Sequence, residues 1–168
     1  ALPLVRLAVP ADEAPIMAMC RRLHAENGLF SLNEDKVRDL VRRYYERKGT
    51  TIGVVGPVGA PEGVICLMFS EQYYTNDWHL AEVWNFVDEP FRQSRNAEAL
   101  VAFAKRCADE IKLPLIIGII TRSRTAAKVR LYRRLLGPPA GAFWVHNGQW
   151  VNDDPLDGKL WKDLLTEQ

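Results

Sequence analysis

The sequence predicts an α/β domain: a twisted, mixed sheet of about six to seven strands between layers of helices. Nearly half of the 168 residues, 48%, are hydrophobic, which is enough for one substantial core. Short β-rich runs also alternate with amphipathic helical patterns. An apolar run at residues 115–121 follows one of these helices and predicts a right-handed strand–helix–strand crossover. We interpret residues 1–168 as a single domain, with a core over residues 4–151 and a C-terminal tail over residues 152–168.

The first third of the chain predicts one strand followed by two helices. Residues 4–9 alternate apolar side chains with Arg6 and end at a proline, which is typical of a strand. Residues 12–27 have helical periodicity. Ser31 and Glu34 then have the spacing of a capping box at the start of a second helix.

The middle of the chain predicts a hairpin, a third strand and a long helix. Residues 50–55 and 63–69 are β-rich and flank a turn rich in glycine and proline. A polar loop at residues 71–77 leads to an apolar strand over residues 80–87. The helix that follows carries its apolar residues on one face: Ala97, Leu100, Val101, Ala104, Ala108 and Ile111.

The last third predicts an interior strand, a final helix and a second hairpin. Residues 115–121 are too short an apolar run for a buried helix. Residues 125–136 have helical periodicity, and Asn147-Gly148 is a strong two-residue turn between short strands at residues 142–146 and 149–151. The tail contains Trp161, Leu164 and Leu165 and predicts a short helix.

Composition limits the classes of function. A net charge of +1 indicates neither nucleic acid nor membrane as a partner, and no apolar run is long enough to span a bilayer. We therefore expect a cytoplasmic protein. The three cysteines form no Cys-x-x-Cys pair, so we expect buried thiols at Cys20, Cys66 and Cys107. The histidines also lack the spacing of metal ligands, so we expect no metal site; they are His24, His79 and His146.

Residues 87–100 predict an anion-binding site. A strand ends at Val87, a loop carries Arg92 and Arg95, and an amphipathic helix begins directly after it. The unpaired N–H groups and the dipole of a helix N-terminus attract negative charge, and phosphate is the expected ligand. Ordinary solvated arginines remain an alternative interpretation of Arg92 and Arg95.

The same segment resembles the acyl-coenzyme A signature of the GNAT superfamily of N-acetyltransferases. Residues that match it by type and spacing are Val87, Phe91, Arg92, Ala97 and Leu100, whereas Arg95 stands where the family usually has a glycine. The resemblance implies acetyl-CoA as cosubstrate. Implied contacts to acetyl-CoA are Asn85, Phe86, Val87, Arg92, Gln93, Ser94, Arg95, Asn96 and Ala97, together with Thr125 and Lys128 of the last helix.

Two residues are candidates for proton transfer. The resemblance implies that Tyr132 protonates the departing thiolate, although a tyrosine packed in the core is equally compatible with its position. Glu82 is the one carboxylate inside an otherwise apolar strand, and burial raises a carboxyl pKa toward the range of a general base. Strict alternation groups Glu82 with Leu80, Trp84 and Phe86 on one face, unless a bulge intervenes. A strand-edge carboxylate, a water relay or the absence of any side-chain base stay open.

We expect an N-acetyltransferase that transfers an acetyl group from acetyl-CoA to a primary amine of a small molecule or protein, similar to the small acetyltransferases of bacteria and phages. Aromatic residues Tyr73, Tyr74, Trp78 and Trp84 are candidates for its acceptor pocket or for the core. One alternative is an acyl-CoA-binding module without catalysis. Another is a nucleic-acid-associated protein that uses the basic last helix, a less favoured interpretation. A homodimer is also compatible with the sequence.

Overall fold

A five-stranded mixed sheet organises the computed structural model, which describes residues 1–46 and 48–152. The strands lie in the order β1-β2-β3-β4-β5. The first four are antiparallel neighbours, whereas β4 and β5 are parallel. Their bounds are β1 Arg6–Leu7, β2 Thr50–Val55, β3 Gly63–Glu71, β4 Trp78–Val87 and β5 Leu115–Ile116.

Four helices lie between or after these strands within the described ranges. They are α1 Glu13–Asn27, α2 Glu34–Tyr45, α3 Asn96–Ile111 and α4 Thr125–Leu136, with short 3-10 turns at Pro10–Asp12 and Glu89–Phe91. The chain divides into two compact units. The first contains Ala1–Met19 and Asn33–Gly118, and the second contains Cys20–Leu32 and the chain from Ile119 onward.

In the first unit, α3 packs on one face of the sheet. Its apolar stripe, which includes Leu100, Phe103 and Ala104, forms one core cluster with Ile65 and Leu67 of β3. Gly53 of β2 permits this close approach, because a Cβ there would lie 2.6 Å from a ring carbon of Phe103. Sequence periodicity therefore predicted most of the buried face of α3, although Ile111 is 42% exposed and the buried Ala99 and Phe103 were not predicted.

The opposite face of the sheet is equally apolar. Ile52, Val54, Val64 and Cys66 on this face are all 0% exposed, and α2 packs against β2. The cap of α2 is Asn33, whose side chain accepts a hydrogen bond from Lys36 N at 3.0 Å. The predicted capping role of Ser31 is therefore wrong.

A buried ion pair ties β1 to the turn between β2 and β3. Arg6 donates to both carboxylate oxygens of Asp12, at 2.7 and 3.0 Å, and the N–H groups of Val9 and Gly59 donate to the same carboxylate at 2.9 Å. Burial opposes ionisation of Asp12, but these hydrogen bonds outweigh it and lower its pKa to about 2. The carboxylate is thus a structural centre rather than a reactive group.

In the second unit, the end of α1 is bonded to the segment that precedes α4. The Asn27 side-chain oxygen accepts hydrogen bonds from the Thr121 hydroxyl and from Arg122 N. Val151 N donates to Gly28 O at 2.8 Å, and the Arg122 guanidinium lies 5.5 Å from the Trp150 ring centroid.

The sheet has fewer strands than predicted. The run at residues 115–121 is β-paired only at Leu115 and Ile116, because the chain parts from β4 after Ile116. Residues 142–146 and 149–151 do not form a hairpin, although Asn147 has the positive φ of 59° expected of a tight turn. Val151 bonds to Gly28 instead. The predicted helix in the tail falls within residues 153–168, outside the described residues.

Candidate active site

A β-bulge in β4 determines where Glu82 points. Leu67 of β3 pairs with Glu82, but the preceding residue Cys66 pairs with Trp84, so Val83 is an extra residue on β4. Directly paired residues of antiparallel strands place their side chains on the same face. Glu82 therefore shares the face of Leu67, on which α3 packs, whereas Trp84 lies on the opposite face with Cys66. The grouping of Glu82 with Trp84 and Phe86 predicted by strict alternation is wrong, because the bulge shifts the register.

The bulge also gives Glu82 a partner. Asn85 faces the same side as Glu82, since it pairs with Ile65, and its Nδ2 donates to Glu82 Oε1 at 3.1 Å. In a regular strand these two residues, three apart, would point to opposite faces. The Gly118 backbone N–H also bonds the Glu82 carboxylate. Nothing in the sequence indicated Gly118, which is distant in the chain and lies outside any strand.

Burial dominates the ionisation of Glu82. Desolvation raises its pKa to about 7, against the hydrogen bonds from Gly118 and Asn85, which favour the ionised form. The carboxyl group is thus protonated below neutral pH and ionised above it. A group with a pKa near 7 is well suited to accept a proton from an amine under physiological conditions.

Glu82 lies where the sheet begins to open. Pairing between β4 and β5 is limited to Leu80 with Leu115 and Ala81 with Ile116, while β4 continues to Val87. The part of β4 from Glu82 to Val87 therefore extends beyond the described pairing with β5. Such a gap exposes backbone groups on one edge of a strand, where a linear amide-containing ligand can bind.

Beyond β4, Arg92 secures the loop to the strand. Its Nε donates to Val87 O at 2.9 Å, and its guanidinium carbon lies 5.2 Å from the Phe86 ring centroid. Asp88 caps the short turn at Glu89–Phe91 by accepting from Glu89 N. The sequence predicted that the Arg92 side chain contacts a bound anion. In the structure this side chain is half-buried against β4.

The start of α3 presents backbone amides. Its hydrogen-bond ladder begins with Ala99 N donating to Arg95 O at 3.0 Å, so the N–H groups of Asn96, Ala97 and Glu98 precede that ladder. The Ser94 hydroxyl accepts from Asn96 N at 3.1 Å. Gln93 and Ser94 are exposed beside this turn. The geometry is that of a helix N-terminus suited to a phosphate group.

Arg95 departs from the glycine of the GNAT signature without backbone strain. Its φ of −92° is accessible to any L-residue, so this loop conformation does not require glycine. Its guanidinium makes a double hydrogen bond to the Glu98 carboxylate at 2.9 and 3.1 Å and stays exposed at the start of α3. The loop residues therefore fit a diphosphate: the backbone is compatible and a cation lies beside it.

Asn96 has an internal role that the sequence did not reveal. It is buried, and its Nδ2 donates to Glu62 Oε2 at 3.0 Å. Glu62 O in turn accepts from Asp88 N at 2.9 Å. The turn before β3 thereby positions both the loop after β4 and the start of α3. No sequence signal connects Glu62 to Asn96, since they are 34 residues apart.

The remaining predicted site residues, Thr125, Lys128 and Tyr132, belong to the second unit, whereas Glu82 and the loop after β4 belong to the first. Thr125 is buried and its hydroxyl donates to Thr121 O at 3.4 Å. Lys128 Nζ donates to Thr121 Oγ1 at 2.8 Å. Tyr132 is half-buried on α4. The roles of these three residues toward acetyl-CoA stay predictions.

The four candidate aromatics do not form one cluster. Tyr73 and Tyr74 are exposed in the loop between β3 and β4, and their rings contact each other. Trp78 pairs with Glu71 and therefore lies on the face of Leu67, opposite to that of Trp84. Trp84 is half-buried and its Nε1 is buried, whereas Tyr73, Tyr74 and Trp78 are exposed.

Comparison with known proteins identifies the fold. No protein-family model matches the sequence, and no curated protein matches it significantly. Solved structures do match. They include a possible acetyltransferase from Clostridium difficile 630. It is 15% identical to this chain, the TM-score is 0.65, and the match covers 88% of this chain and 98% of that chain. A second is AAC(6')-Iy, solved with a CoA-based bisubstrate analogue. It is 10% identical, the TM-score is 0.64, and the match covers 89% of this chain and 99% of that chain.

A third match is a GNAT family acetyltransferase from Staphylococcus aureus, 11% identical, with a TM-score of 0.55 and 74% of this chain and 91% of that chain covered. The described sheet and helices thus share the fold of these solved acetyltransferases. One of the matched structures is a GNAT family acetyltransferase, so the fold predicted from the resemblance is confirmed. Among the described helices, none combines the length and apolar composition needed to cross a bilayer.

Proposed function

We propose that the protein is an acetyl-CoA-dependent N-acetyltransferase that acts on a primary amine. The observation that carries this proposal is the position of Glu82, a half-buried carboxyl group whose pKa desolvation raises to about 7, at the point where β4 continues beyond its pairing with β5. A general base needs both a suitable pKa and a place beside the substrate. The GNAT fold supports the same activity as an analogy, since fold alone does not determine function.

The loop after β4 and the first turn of α3 would hold acetyl-CoA. Backbone amides of the loop from Gln93 to Arg95 and of Ala97 would bind its diphosphate, while the Asn96 N–H donates to Ser94, and Arg95 would supply positive charge beside them. The exposed edge of β4 at Asn85–Val87 holds the amide-containing arm and polarises the thioester carbonyl. Acetyl-CoA supplies an activated acyl group, while the chain binds and orients it.

Glu82 would then take one proton from the acceptor ammonium. The neutral amine nitrogen forms a bond to the carbonyl carbon as the carbon–sulfur bond breaks, and the thiolate accepts a proton from Tyr132. The nitrogen then releases its second proton, which returns the Tyr132 phenolate to the phenol and leaves a neutral amide and a free thiol. Asn85 holds the Glu82 carboxylate in place through its hydrogen bond at 3.1 Å.

The test is a panel of primary amines, assayed for acetyl transfer with the purified protein, together with calorimetry of acetyl-CoA binding. We expect turnover on at least one amine and saturable binding. Tyr132→Phe should lower kcat about tenfold or more and leave the dissociation constant of acetyl-CoA unchanged. Unchanged turnover in this variant would remove Tyr132 from the mechanism. Tight binding without turnover on any amine would favour the acyl-CoA-binding module instead.

A further inference from the structure

The pairing between β4 and β5 stops earlier than the residues of either strand require. Residues 115–121 read Leu-Ile-Ile-Gly-Ile-Ile-Thr and are rich in β-branched side chains, which favour strands. Of this run, which the structure describes throughout, only Leu115 and Ile116 pair with β4. β4 itself continues as a strand to Val87. A conflict of this kind between local preference and structure is typical of a functional site.

The register of the two strands identifies the hydrogen bond at which the pairing stops. Leu80 N donates to Pro114 O at 2.9 Å, and in this register Ile116 N faces Leu80 O. Along one strand of a parallel pair, every second residue bonds to the same neighbour. The next donor after Ile116 is therefore Gly118 N, and its acceptor in a continued ladder would be Glu82 O.

The Glu82 side chain takes this hydrogen bond instead. The Gly118 N–H donates to the Glu82 carboxylate, and no further pair forms after Ile116 in the described structure. Asn85 Nδ2 donates to Glu82 Oε1 at 3.1 Å and so holds the carboxylate at this position. All of these residues belong to the first unit. The donor that would continue the ladder is thus bonded to a side chain, at the point where the strands separate.

We propose that the Glu82 carboxylate keeps β4 and β5 apart by accepting the Gly118 hydrogen bond that would otherwise extend their pairing. The proposal rests on the proposed function in one respect, since the gap is where the arm of acetyl-CoA would bind. Without an acceptor oxygen on residue 82, Gly118 N would bond to the backbone of β4. The gap beside Asn85–Val87 would then narrow, and fewer backbone groups would be exposed to the ligand.

Two substitutions of Glu82 separate this role from that of the general base. Glu82→Gln removes the proton acceptor but keeps a side-chain oxygen for the Gly118 N–H, whereas Glu82→Met has a similar length and no oxygen. A crystal structure of Glu82→Met should show Gly118 N about 3.0 Å from the backbone oxygen of residue 82, with the pairing extended. Glu82→Gln should keep the pairing unchanged. A gap equally wide in both variants would mean that the bulge at Val83 separates the strands, and the proposal would be wrong.

Calorimetry of acetyl-CoA binding is the second measurement. Glu82→Met should raise the dissociation constant about threefold to tenfold, as expected when one backbone hydrogen bond is lost to the ligand. Glu82→Gln should change this constant less than about twofold, although it removes the base and lowers turnover. Glu71→Met, which replaces an exposed carboxylate on the same hairpin, is the matched control and should leave the constant unchanged. Equal weakening in Glu82→Gln and Glu82→Met would assign the effect to the lost charge and contradict the proposal.

Substitution of Gly118 tests whether its N–H is the cause. Gly118→Pro removes this donor, and neither a positive φ nor an atom within 4 Å of an added Cβ opposes the ring. In the Glu82→Met background, Gly118→Pro should bring acetyl-CoA affinity back to within about twofold of that of the unmodified protein, because the pairing can no longer extend. Gly118→Ala keeps the N–H and should recover nothing. If Met at position 82 obstructs the ligand directly, Gly118→Pro will not recover affinity, and the proposal fails.

The proposal and the transferase activity can fail separately. Extended pairing in Glu82→Met, combined with no acetyl transfer by the unmodified protein to any amine, would reject the transferase alone. Turnover by the unmodified protein, combined with unchanged pairing in Glu82→Met, would reject the role of the carboxylate in the gap alone. The crystal structures decide this second point even if acetyl-CoA does not bind.

Discussion

At the scale of single residues, the pKa of Glu82 depends on the surroundings in which the β4 bulge places its carboxyl group. Desolvation raises its pKa to about 7, so most Glu82 side chains are neutral at pH 6 and ionised at pH 8. A general base acts only in its ionised form. In the proposed mechanism, the burial that raises the pKa of Glu82 to about 7 therefore also makes acetyl transfer dependent on pH.

We expect kcat/KM to rise tenfold per pH unit below about pH 7 and to level off above it. Glu82→Gln should lower kcat by about 10²- to 10⁴-fold and abolish this dependence, because the amide cannot accept the proton. Initial rates over a pH series measure both effects. Glu71→Gln, which changes an exposed carboxylate on the same hairpin, is the control. A pH profile that survives in Glu82→Gln would assign the titration to another group.

The sequence predicted the identity of Glu82 but not its surroundings. A lone carboxylate in an apolar strand is visible in the sequence, whereas the bulge at Val83 depends on how β3 and β4 pair. Partners from distant segments, such as Gly118 for Glu82, depend on tertiary packing. Strand alternation alone consequently assigned Trp84 and Phe86 to the wrong side.

At the scale of elements, the first turn of α3 combines the proposed anion site with an internal ion pair. Glu98 holds the Arg95 guanidinium through two hydrogen bonds and so competes with any phosphate for it. Both side chains are within one helical turn, and Arg95 is exposed. Positive charge at the loop is therefore partly neutralised before a ligand arrives.

Arg95→Ala should weaken CoA binding about twofold to fivefold, as expected for an exposed charge contact. Glu98→Gln should strengthen it by a similar factor, because the guanidinium is released. Calorimetry at low and high salt measures both, and the differences should shrink as salt screens the charges. Arg106→Ala, elsewhere on the exposed side of α3, is the control. Tighter binding in Arg95→Ala would mean that the side chain obstructs the site.

The contact between α3 and β2 depends on Gly53. Gly53→Ala should lower the free energy of unfolding by about 1–3 kcal/mol, since the new Cβ would lie 2.6 Å from the Phe103 ring. Denaturant titration measures the change. Gly141→Ala is the control, because no atom lies within 4 Å of its added Cβ. Combining Gly53→Ala with Phe103→Leu should recover part of the loss if the clash is its cause.

Elements defined by local signals were predicted better than those defined by distant partners. The bounds of α4 and the buried face of α3 follow from helical periodicity, which the sequence carries locally. The predicted strand at residues 115–121 shortened to Leu115–Ile116, because a strand exists only as far as its neighbour pairs with it. The buried Asn96–Glu62 hydrogen bond is likewise a contact between distant segments.

At the scale of the whole molecule, two carboxyl groups set opposite trends of stability with pH. Despite the cost of its burial, hydrogen bonds lower the pKa of Asp12 from 3.8 to about 2, so its ion pair stabilises the fold above about pH 4 and is lost as the pH falls toward 2. Burial raises the pKa of Glu82 from 4.5 to about 7, so the folded state binds a proton more tightly than the unfolded state. Stability therefore declines between pH 4.5 and 7 on account of Glu82.

We expect Glu82→Gln to be more stable than the unmodified protein at pH 8, by on the order of 3 kcal/mol, and the difference to vanish near pH 4. Asp12→Asn should lower the free energy of unfolding at pH 7 by about 3 kcal/mol or more, because Arg6 then lacks its partner. Denaturant unfolding over a pH series measures both. A Glu82→Gln difference that does not change with pH would show that desolvation of the carboxylate is not the cause.

The bulge at Val83 makes the orientation of half a strand dependent on one residue. Deleting Val83 would leave Glu82 paired with Leu67 and Trp84 paired with Cys66, so the residues from Trp84 to Val87 would keep their faces. Pairing Val83 with Cys66 in place of Trp84 would instead restore uninterrupted pleating and turn over the chain from Trp84 to Val87. Asn85 would then point away from Glu82, Phe86 would be directed at α3, and the indole of Trp84 would move to the side of the carboxylate. A slip of one residue would thus invert the chemistry of the two surfaces without the change of a single amino acid.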